Sequence, residues 1–241
     1  MKAPGRLLGA FTAFMLVATA ANWWWQDRDV RHFISADDQA FIASFSAPPA
    51  KDSPATRAEL DELLALQAAR TQADVDAARA DRKTEVWQFY VALGFDPDHP
   101  PDLPKVERLA GRVEDDVRLA VRSAKEHFRR LRPFEVEPRI ENCIDNVRAD
   151  LSYPSGHSAF GWSMAYLLAR LAPDRKAELE ARAAEFARQR LVCGVHFPSD
   201  IAAGQQAAHR LLAEMDGNPG FRAQLADAAA ELRAARAALP R

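Results

Sequence analysis

Two cations spaced along one predicted helix are the first residues of this 241-residue chain that could perform chemistry. Lys125 and Arg132 are seven residues apart, so we expect both on one face of a helix, two turns from each other. Apolar neighbours lie on the same stripe, and such a pair would bind an anion. Most charged pairs of this kind belong to a solvated helix face, so this one alone indicates little.

The second feature is a turn with the sequence Tyr-Pro-Ser-Gly-His-Ser over residues 153–158. It precedes an apolar run and therefore predicts the start of a helix. Such a start offers free backbone N–H groups, the hydroxyl of Ser155 and the positive end of the helix dipole, all of which suit an anion. His157 falls in the first turn, where its ring can reach the same anion. An ordinary N-cap with an incidental histidine is the alternative.

The third feature combines Arg190, His196 and Asp200. Arg190 continues the apolar stripe of a predicted helix, so its charge is expected to face inward and to need a buried partner. His196 and Asp200 are four residues apart, close enough on one face for the carboxylate to accept from one ring nitrogen. That contact would fix the tautomer and leave the other nitrogen free to attack. A core histidine with a satisfied hydrogen bond is the alternative.

Taken together, the three features supply what phosphoryl transfer requires. Cations and N–H groups hold the three non-bridging oxygens, one histidine attacks in line, and a second histidine protonates the leaving oxygen. The three features also resemble, in this order, the three-part signature of the type 2 phosphatidic acid phosphatase and vanadium haloperoxidase superfamily: Lys125-x6-Arg132-Pro133, Pro154-Ser155-Gly156-His157 and Arg190-x5-His196-x3-Asp200.

More narrowly, the segments RSAKEHFRRLRPF, SYPSGHSAFGW and VCGVHFPSD resemble the class A bacterial non-specific acid phosphatases. The resemblance implies an all-α fold and a periplasmic enzyme that hydrolyses organic phosphate monoesters through a covalent phosphohistidine, without a metal or other cofactor. It implies that His196 is the nucleophile, Asp200 its orienting carboxylate and His157 the general acid. The residues that it implies as phosphate ligands are Lys125, Arg132, Ser155, Gly156 and Arg190.

One position departs from the family pattern, because Gln189 stands where a serine usually precedes the arginine of the third motif. We expect a changed rate or substrate range from it, and no loss of the reaction. Two alternatives to an acid phosphatase use the same pocket. One is a vanadate-dependent haloperoxidase, for which the chain is short. The other is a lipid phosphate or diphosphate phosphatase, against which the lack of several apolar spans argues.

Composition limits the partners. Hydrophobic residues make up 48% and charged residues 27% of the chain, and the formal net charge is −2. The balance indicates a soluble globular body without the basic footprint of a nucleic-acid-binding protein. The expected partners are small phosphate esters, with no nucleic acid and no integral membrane domain, and a homo-oligomer stays open. The remaining histidines lack metal-ligand spacing, so no metal site is expected.

The N-terminus has the form of a secretory signal over residues 1–20. Lys2 and Arg6 precede an apolar run over 7–21, and residues 18–20 are a small-residue cleavage pattern. We therefore expect a periplasmic or secreted protein, with an uncleaved anchor as the alternative, and a phosphatase domain over 35–241.

Two cysteines, Cys143 and Cys193, indicate a disulfide in an exported chain, with two buried thiols as the alternative. The family resemblance implies that these two are paired. Helical patterns predict an all-α, single-domain helical bundle with helices over 53–66, 85–93, 105–131, 158–171, 174–192, 198–215 and 219–239.

Overall fold

The structure is a computed structural model that describes residues 32–34, 38–144 and 151–239. The predicted all-α class is confirmed: the described residues form helices joined by loops and contain no β-strand. The α-helices are α1 (Asp38–Ala43), α2 (Pro54–Ala69), α3 (Gln72–Ala80), α4 (Pro104–Phe128), α5 (Pro133–Val136), α6 (Gly156–Leu171), α7 (Lys176–Val192), α8 (Pro198–Met215) and α9 (Pro219–Ala237). Three short 3₁₀ helices span Val86–Phe89, Val91–Leu93 and Pro173–Arg175.

Local sequence explains where several helices begin. Ser53 accepts a hydrogen bond from the backbone N–H of Thr56 at 3.2 Å and caps α2. Thr71 and Asp74 form a reciprocal capping box at the start of α3. Proline occupies the first turn of α2, α4, α5, α8 and α9, where its missing N–H has no helical partner to lose.

Helix α6 lies at the centre of the fold and packs against α4, α7 and α8. Its buried apolar side chains occur on more than one face of the helix: Ala159, Phe160, Met164, Leu167, Leu168 and Leu171. A helix that is apolar on several faces is stable only when other helices surround it. The second sequence feature lies at the N-terminus of this enclosed helix.

Two predicted helix boundaries are wrong. The segment 85–93 forms two 3₁₀ turns instead of one α-helix, and Gly94 ends it at φ 96°. Its β-branched and aromatic residues are poor α-helix formers. Short 3₁₀ turns need fewer consecutive helical residues than an α-helix does. The helix predicted over 105–131 ends three residues early, at Phe128.

The expected disulfide is present between Cys143 and Cys193, whose Cα atoms are 4.8 Å apart. It packs with Ala78, Ile144 and Val195 in a small apolar cluster. Because Cys193 directly follows α7, the disulfide ties the loop after α5 to the connection between α7 and α8. That connection carries His196.

The predicted signal over residues 1–20 lies outside the described residues. The predicted domain start at residue 35 also lies among residues that the structure does not describe, so this boundary stays a prediction. Within the part of the chain that is described, no helix is long and apolar enough to cross a membrane.

Candidate active site

The start of α8 holds His196 and Asp200 together. Asp200 occupies the third position of the helix, where its Oδ2 accepts from the backbone N–H of Phe197 at 2.8 Å and lies 3.2 Å from Nδ1 of His196. His196 precedes the helix, so the two residues do not share a helix face as the spacing suggested. A carboxylate only accepts, so Nδ1 carries the hydrogen. His196 and Asp200 are both buried.

Arg132 lies on the other side of the His196 ring. Its Nη1 donates to the carbonyl oxygen of Val195 at 2.6 Å and is 3.3 Å from Nε2 of His196. A guanidinium only donates, so Nε2 presents its lone pair. Opposite partners on the two ring nitrogens therefore fix one neutral tautomer of His196, with Nε2 as the basic atom.

Lys125 and Arg132 do not lie on one helix, contrary to the sequence-based expectation. Lys125 is in the last turn of α4, which ends at Phe128, and Arg129 has a left-handed backbone with φ 51°. Arg132 has an extended backbone (φ −75°, ψ 156°). It precedes Pro133, and a residue before proline disfavours the helical conformation.

The segment after α4 instead pairs with the chain that leads into α6. The carbonyl oxygens of Arg130 and Leu131 accept from the backbone N–H and the hydroxyl of Ser152, at 2.8 and 3.0 Å. Lys125 donates from Nζ to the carbonyl oxygen of Leu151. These contacts bring the first motif next to the second, although its two cations arrive from a helix and from a loop.

Arg190 is in the last turn of α7 and is 2% exposed. Its Nη2 donates to the carbonyl oxygen of Ala78 at 2.7 Å, while its buried Nε has no hydrogen-bond partner among the described atoms. Burial lowers the pKa of Arg190 to about 10, with Arg132 adding to the decrease and Asp81 opposing it. The side chain stays charged at neutral and acidic pH and retains a donor that a bound oxygen can satisfy.

The turn before α6 presents the second motif. Ser155 is fully buried and caps the helix, its Oγ accepting from the backbone N–H of Ser158 at 3.3 Å. Its own N–H donates to the carbonyl oxygen of Asp200 at 3.0 Å. Gly156 is the first residue of α6, and a first-turn N–H has no carbonyl partner within the helix. The hydroxyl hydrogen of Ser155 and the N–H of Gly156 are thus donors at a helix N-terminus.

A close approach of α6 and α8 brings these two helix starts together. A Cβ atom at Gly204 would lie 2.6 Å from the carbonyl oxygen of Ser155 and 2.7 Å from Cβ of Ser158. The hydroxyl of Ser158 donates to the carbonyl oxygen of Ile201 at 2.7 Å. Only glycine fits at position 204, so this residue allows the second and third motifs to meet.

His157 is partly buried in the first turn of α6. Its Nε2 is 2.8 Å from the carbonyl oxygen of Arg82, so this nitrogen carries a hydrogen. Its ring stacks on that of Phe186, with 5.8 Å between centroids and 21° between planes. The tautomer leaves Nδ1 as the atom that can exchange a proton with a bound molecule.

Burial and cations hold both histidines neutral. The pKa of His196 is well below its usual range, first because the ring is buried and then because Arg132, Lys125, His157 and Arg190 are close. Removing a ring from water disfavours its charged form, and nearby positive charge acts in the same direction.

The pKa of His157 is lowered to about 3 by burial and by the same three cations, Arg190 first. The carbonyl oxygen of Arg82 opposes this decrease. The three motifs therefore share one electrostatic site: each of the two imidazoles responds to Lys125 and Arg132 of the first motif and to Arg190 of the third.

Arg130 and Glu59 were missed by the sequence analysis. Arg130 donates to Oδ1 of Asp200 at 2.7 Å and to Oε2 of Glu59 at 2.6 Å. Glu59 is in α2, 71 residues from Arg130 and 140 residues from Ser199 of α8, and no spacing rule connects such distant positions. The density of arginines before Pro133 was the one available signal.

The site offers no metal-binding set. Among the residues that the structure describes, no group of three or more histidine, cysteine, aspartate or glutamate side chains could hold a metal ion. What the arrangement provides is one imidazole nitrogen with a free lone pair, a second imidazole nitrogen that can exchange a proton, and three cations beside a helix N-terminus.

The sequence of the chain matches a family model and several known proteins. The family model described as the PAP2 superfamily matches residues 117–211, which include all three motifs. A non-specific acid phosphatase of Salmonella typhi is 31% identical over 197 residues, which cover 77% of each chain. One from Providencia stuartii is 35% identical over 142 residues, or 57% of this chain and 56% of that protein.

An acid phosphatase of Zymomonas mobilis is 36% identical over 148 residues, or 60% of this chain and 54% of that protein. The chain thus spans little more than half the length of two of these relatives. A crystal structure described as a transmembrane PAP2 type phosphatidylglycerolphosphate phosphatase from Bacillus subtilis superposes with a TM-score of 0.49 at 18% identity, covering 75% of this chain and 90% of that one. The match to the Salmonella typhi protein over three quarters of both chains carries the assignment: this chain belongs to the class A non-specific acid phosphatases of the PAP2 superfamily.

Proposed function

We propose that the chain hydrolyses organic phosphate monoesters by transferring the phosphoryl group to His196 and then to water. One observation carries the proposal: the partners of the buried His196 ring commit Nδ1 to Asp200 and leave the lone pair of Nε2 beside Arg132, at 3.3 Å. A neutral imidazole with its free lone pair next to a fixed cation is suited to attack an anionic phosphoryl group. Membership of the acid phosphatase family supports the same reaction.

Binding of the substrate uses positive charge from three directions. The proposed ligands of the non-bridging oxygens are the side chains of Lys125, Arg132, Arg190 and Ser155 and the backbone N–H of Gly156. All are held in place by helices or by hydrogen bonds to backbone carbonyls, so little reorganisation is needed as the reaction proceeds. In phosphoryl transfer such positioning and charge stabilisation account for most of the rate enhancement.

In the first step, Nε2 of His196 forms a bond to phosphorus while the bond from phosphorus to the ester oxygen breaks. The leaving oxygen takes the proton from Nδ1 of His157, whose Nε2–H stays bonded to the carbonyl oxygen of Arg82. Asp200 keeps its hydrogen bond to Nδ1–H of His196 and stabilises the positive ring that forms. The products are a free alcohol and a phosphohistidine.

In the second step, His157 removes a proton from water at Nδ1, and the water oxygen attacks phosphorus. The bond between phosphorus and Nε2 of His196 breaks, which releases inorganic phosphate and restores the neutral ring. The protonated His157 is then ready for the next ester. Acid and base roles thus alternate on one residue, as microscopic reversibility requires.

Charge on the substrate connects binding to proton transfer. Burial and then the cations hold the pKa of His157 down to about 3, so this residue is neutral over the ordinary pH range. An anionic phosphate placed among these cations offsets their field and raises the pKa of His157. The proton that the leaving group needs is therefore bound together with the substrate, whereas the deeply buried His196 stays unprotonated.

The test is hydrolysis of 4-nitrophenyl phosphate in the presence of EDTA, with vanadate as a competitive inhibitor. His196→Ala should lower kcat by at least about 10⁴-fold, and no phosphoenzyme should form when the reaction is stopped with alkali. His209→Ala is the matched control, because His209 is an exposed histidine of α8 itself. Normal turnover in His196→Ala, or activity that disappears with EDTA and returns with a divalent ion, would refute the proposal.

Export is proposed on two grounds: the N-terminal signal pattern and the disulfide between Cys143 and Cys193. Disulfides persist in the periplasm and outside the cell and are rare in the reducing cytosol. Cell fractionation and the intact mass of the exported form test this localisation. A full-length protein confined to the cytosol would contradict it.

A further inference from the structure

Arg130 connects Asp200, at the start of α8, to Glu59 of α2. Its Nη1 donates to Oδ1 of Asp200 at 2.7 Å and to Oγ of Ser199 at 2.6 Å, and its Nη2 donates to Oε2 of Glu59 at 2.6 Å. The guanidinium also lies over the ring of Phe197, 3.7 Å from the centroid. The side chain of Arg130 is 8% exposed and that of Glu59 12%, so this is a buried network.

Each carboxylate oxygen of Asp200 has its own partners. Oδ2 accepts from Nδ1 of His196 and from the N–H of Phe197, while Oδ1 accepts from Arg130. Rotation of the carboxylate would break both sets at once. A planar guanidinium can donate from one Nη to Asp200 and from the other to Glu59. A lysine ammonium lacks this forked arrangement of donors.

Glu59 anchors the network from a different element. Its Oε1 accepts from the backbone N–H of Ser199 at 2.7 Å, so it binds an otherwise unsatisfied donor in the first turn of α8. Its other oxygen holds Arg130. The carboxylate thus joins α2 to both the arginine and the helix that carries Asp200.

We propose that Arg130, held by Glu59, is a positioning residue for the nucleophile: it fixes the Asp200 carboxylate in the orientation that receives Nδ1–H of His196. The inference rests on the proposed role of His196. Neither Arg130 nor Glu59 touches the reacting atoms; both act through Asp200. The charge of Arg130 also maintains the ionised form of Asp200, which is the only form that can accept this hydrogen without a competing proton.

The charged and titratable groups around Asp200 define how pH should act. His196 faces it from the chain before α8, Arg130 from the loop after α4, and Tyr153 from the segment before α6. Burial raises the pKa of Asp200, and Arg130 is the largest opposing influence. Activity that needs the carboxylate is present above its pKa and lost below it. Removal of Arg130 therefore moves the acidic limb of the pH profile to higher pH.

The experiment measures kcat, KM and the pH dependence of kcat for Arg130→Met, Arg130→Lys and Glu59→Gln. We expect Arg130→Met to lower kcat about 100-fold with KM changed less than about threefold, and to shift the acidic limb upward. Arg130→Lys should recover part of both effects, and Glu59→Gln should lower kcat about 10-fold. The control is Arg170→Met, which breaks a two-bond pair with Asp216 (3.0 and 2.6 Å) in the last turn of α6 and should leave the profile unchanged.

Folding of each variant is checked by circular dichroism and thermal unfolding. A folded Arg130→Met protein with the kcat and acidic limb of the wild type would overturn the inference, as would an effect on KM alone. If Arg130→Met does not fold, the same criteria apply to Arg130→Lys and Glu59→Gln. Failure of the underlying mechanism has a different signature, since His196→Ala would then remain active whatever the Arg130 variants show.

Discussion

The two histidines of the site are held in different ways. His196 is enclosed by charged side chains, with Asp200 on one nitrogen, Arg132 on the other and Arg130 behind the carboxylate. His157 is partly buried, and its two described contacts are the backbone carbonyl of Arg82 and the face of Phe186. A set of charge-assisted bonds fixes the first ring more tightly than one carbonyl and a stacked ring fix the second.

The difference in how tightly the two rings are held fits the atoms that they contact in the proposed mechanism. Every phosphate monoester presents the same phosphoryl group to His196. A rigid His196 ring can therefore attack many different substrates in the same geometry. The leaving oxygen that His157 protonates differs in position from one alcohol to another. A ring held by a backbone carbonyl and an aromatic face can tilt by small amounts, which favours a broad range of leaving groups.

After the loss of the nucleophile itself, the largest expected effect concerns proton donation by His157. His157→Asn should lower kcat/KM about 10³-fold for alkyl phosphates but only about 10-fold for 4-nitrophenyl phosphate, because kcat/KM reports the phosphorylation step and a nitrophenolate leaves without a proton. An amide cannot deliver a proton, whatever its position. The measurement is a plot of log(kcat/KM) against the pKa of the leaving alcohol, which should be steeper in the variant than in the wild type. The value of kcat itself should fall for every substrate, because His157 is also the base of the second step.

Two controls sharpen this comparison between the histidines. His196→Ala should lower the rate with every leaving group alike, because its nitrogen forms the same bond each time. His99→Asn, in an exposed loop, should change neither rate nor slope. Equal losses of kcat/KM for alkyl and aryl substrates in His157→Asn would contradict the assignment of His157 as the acid.

A smaller effect on kcat is expected from a substitution in the turn that carries the carbonyl group of Arg82. Asp81 precedes it and accepts from both Nη atoms of Arg182, at 2.7 and 2.6 Å, while the Arg182 guanidinium lies 5.3 Å from the Phe186 ring centroid. Asp81→Asn removes one partner of a largely buried pair, which should reduce the free energy of unfolding by about 3 kcal/mol. It should also lower kcat for alkyl phosphates about 10-fold, because the carbonyl that orients His157 is less well held.

Asp174→Asn provides the matched control, since Asp174 makes the same two-bond contact with Arg236 (2.9 and 2.6 Å) on the surface. An exposed pair contributes at most about 1 kcal/mol, so stability and rate should change little. Urea unfolding and kcat for both variants settle the comparison. If Asp81→Asn destabilises the fold yet leaves kcat unchanged, the Asp81–Arg182 pair is only structural. The orientation of His157 then does not depend on this pair.

The sequence predicted most of the helices because their apolar residues recur at helical spacing over long segments. Helix α7 begins within two residues of its predicted start, and α8 and α6 occupy the predicted segments almost completely. Local signals also predicted the helix start at the turn before α6. Such features depend on residues close together in the chain, which is why a single sequence contains them.

The environment of the nucleophile was much harder to predict. Lys125 and Arg132 were expected on one helix, but Arg129 ends α4 in a left-handed conformation and Pro133 excludes a helical Arg132. The bond between Arg130 and Glu59 spans 71 residues. Its formation depends on how α2 packs beside the start of α8, and no local pattern encodes that packing.

The smallest expected effect is at Gln189, which stands where the family usually has serine. Its side chain is 5% exposed, and its Oε1 has no hydrogen-bond partner among the described atoms. Gln189→Ser removes that buried acceptor, a gain of about 1–3 kcal/mol, but leaves a cavity that costs a similar amount. The free energy of unfolding should therefore change by less than about 1 kcal/mol, and kcat by less than about threefold. A 10-fold change in kcat or KM would show instead that the side chain at position 189 reaches the phosphoryl group. Gln189 would then belong, with Arg190, to the residues that contact the substrate.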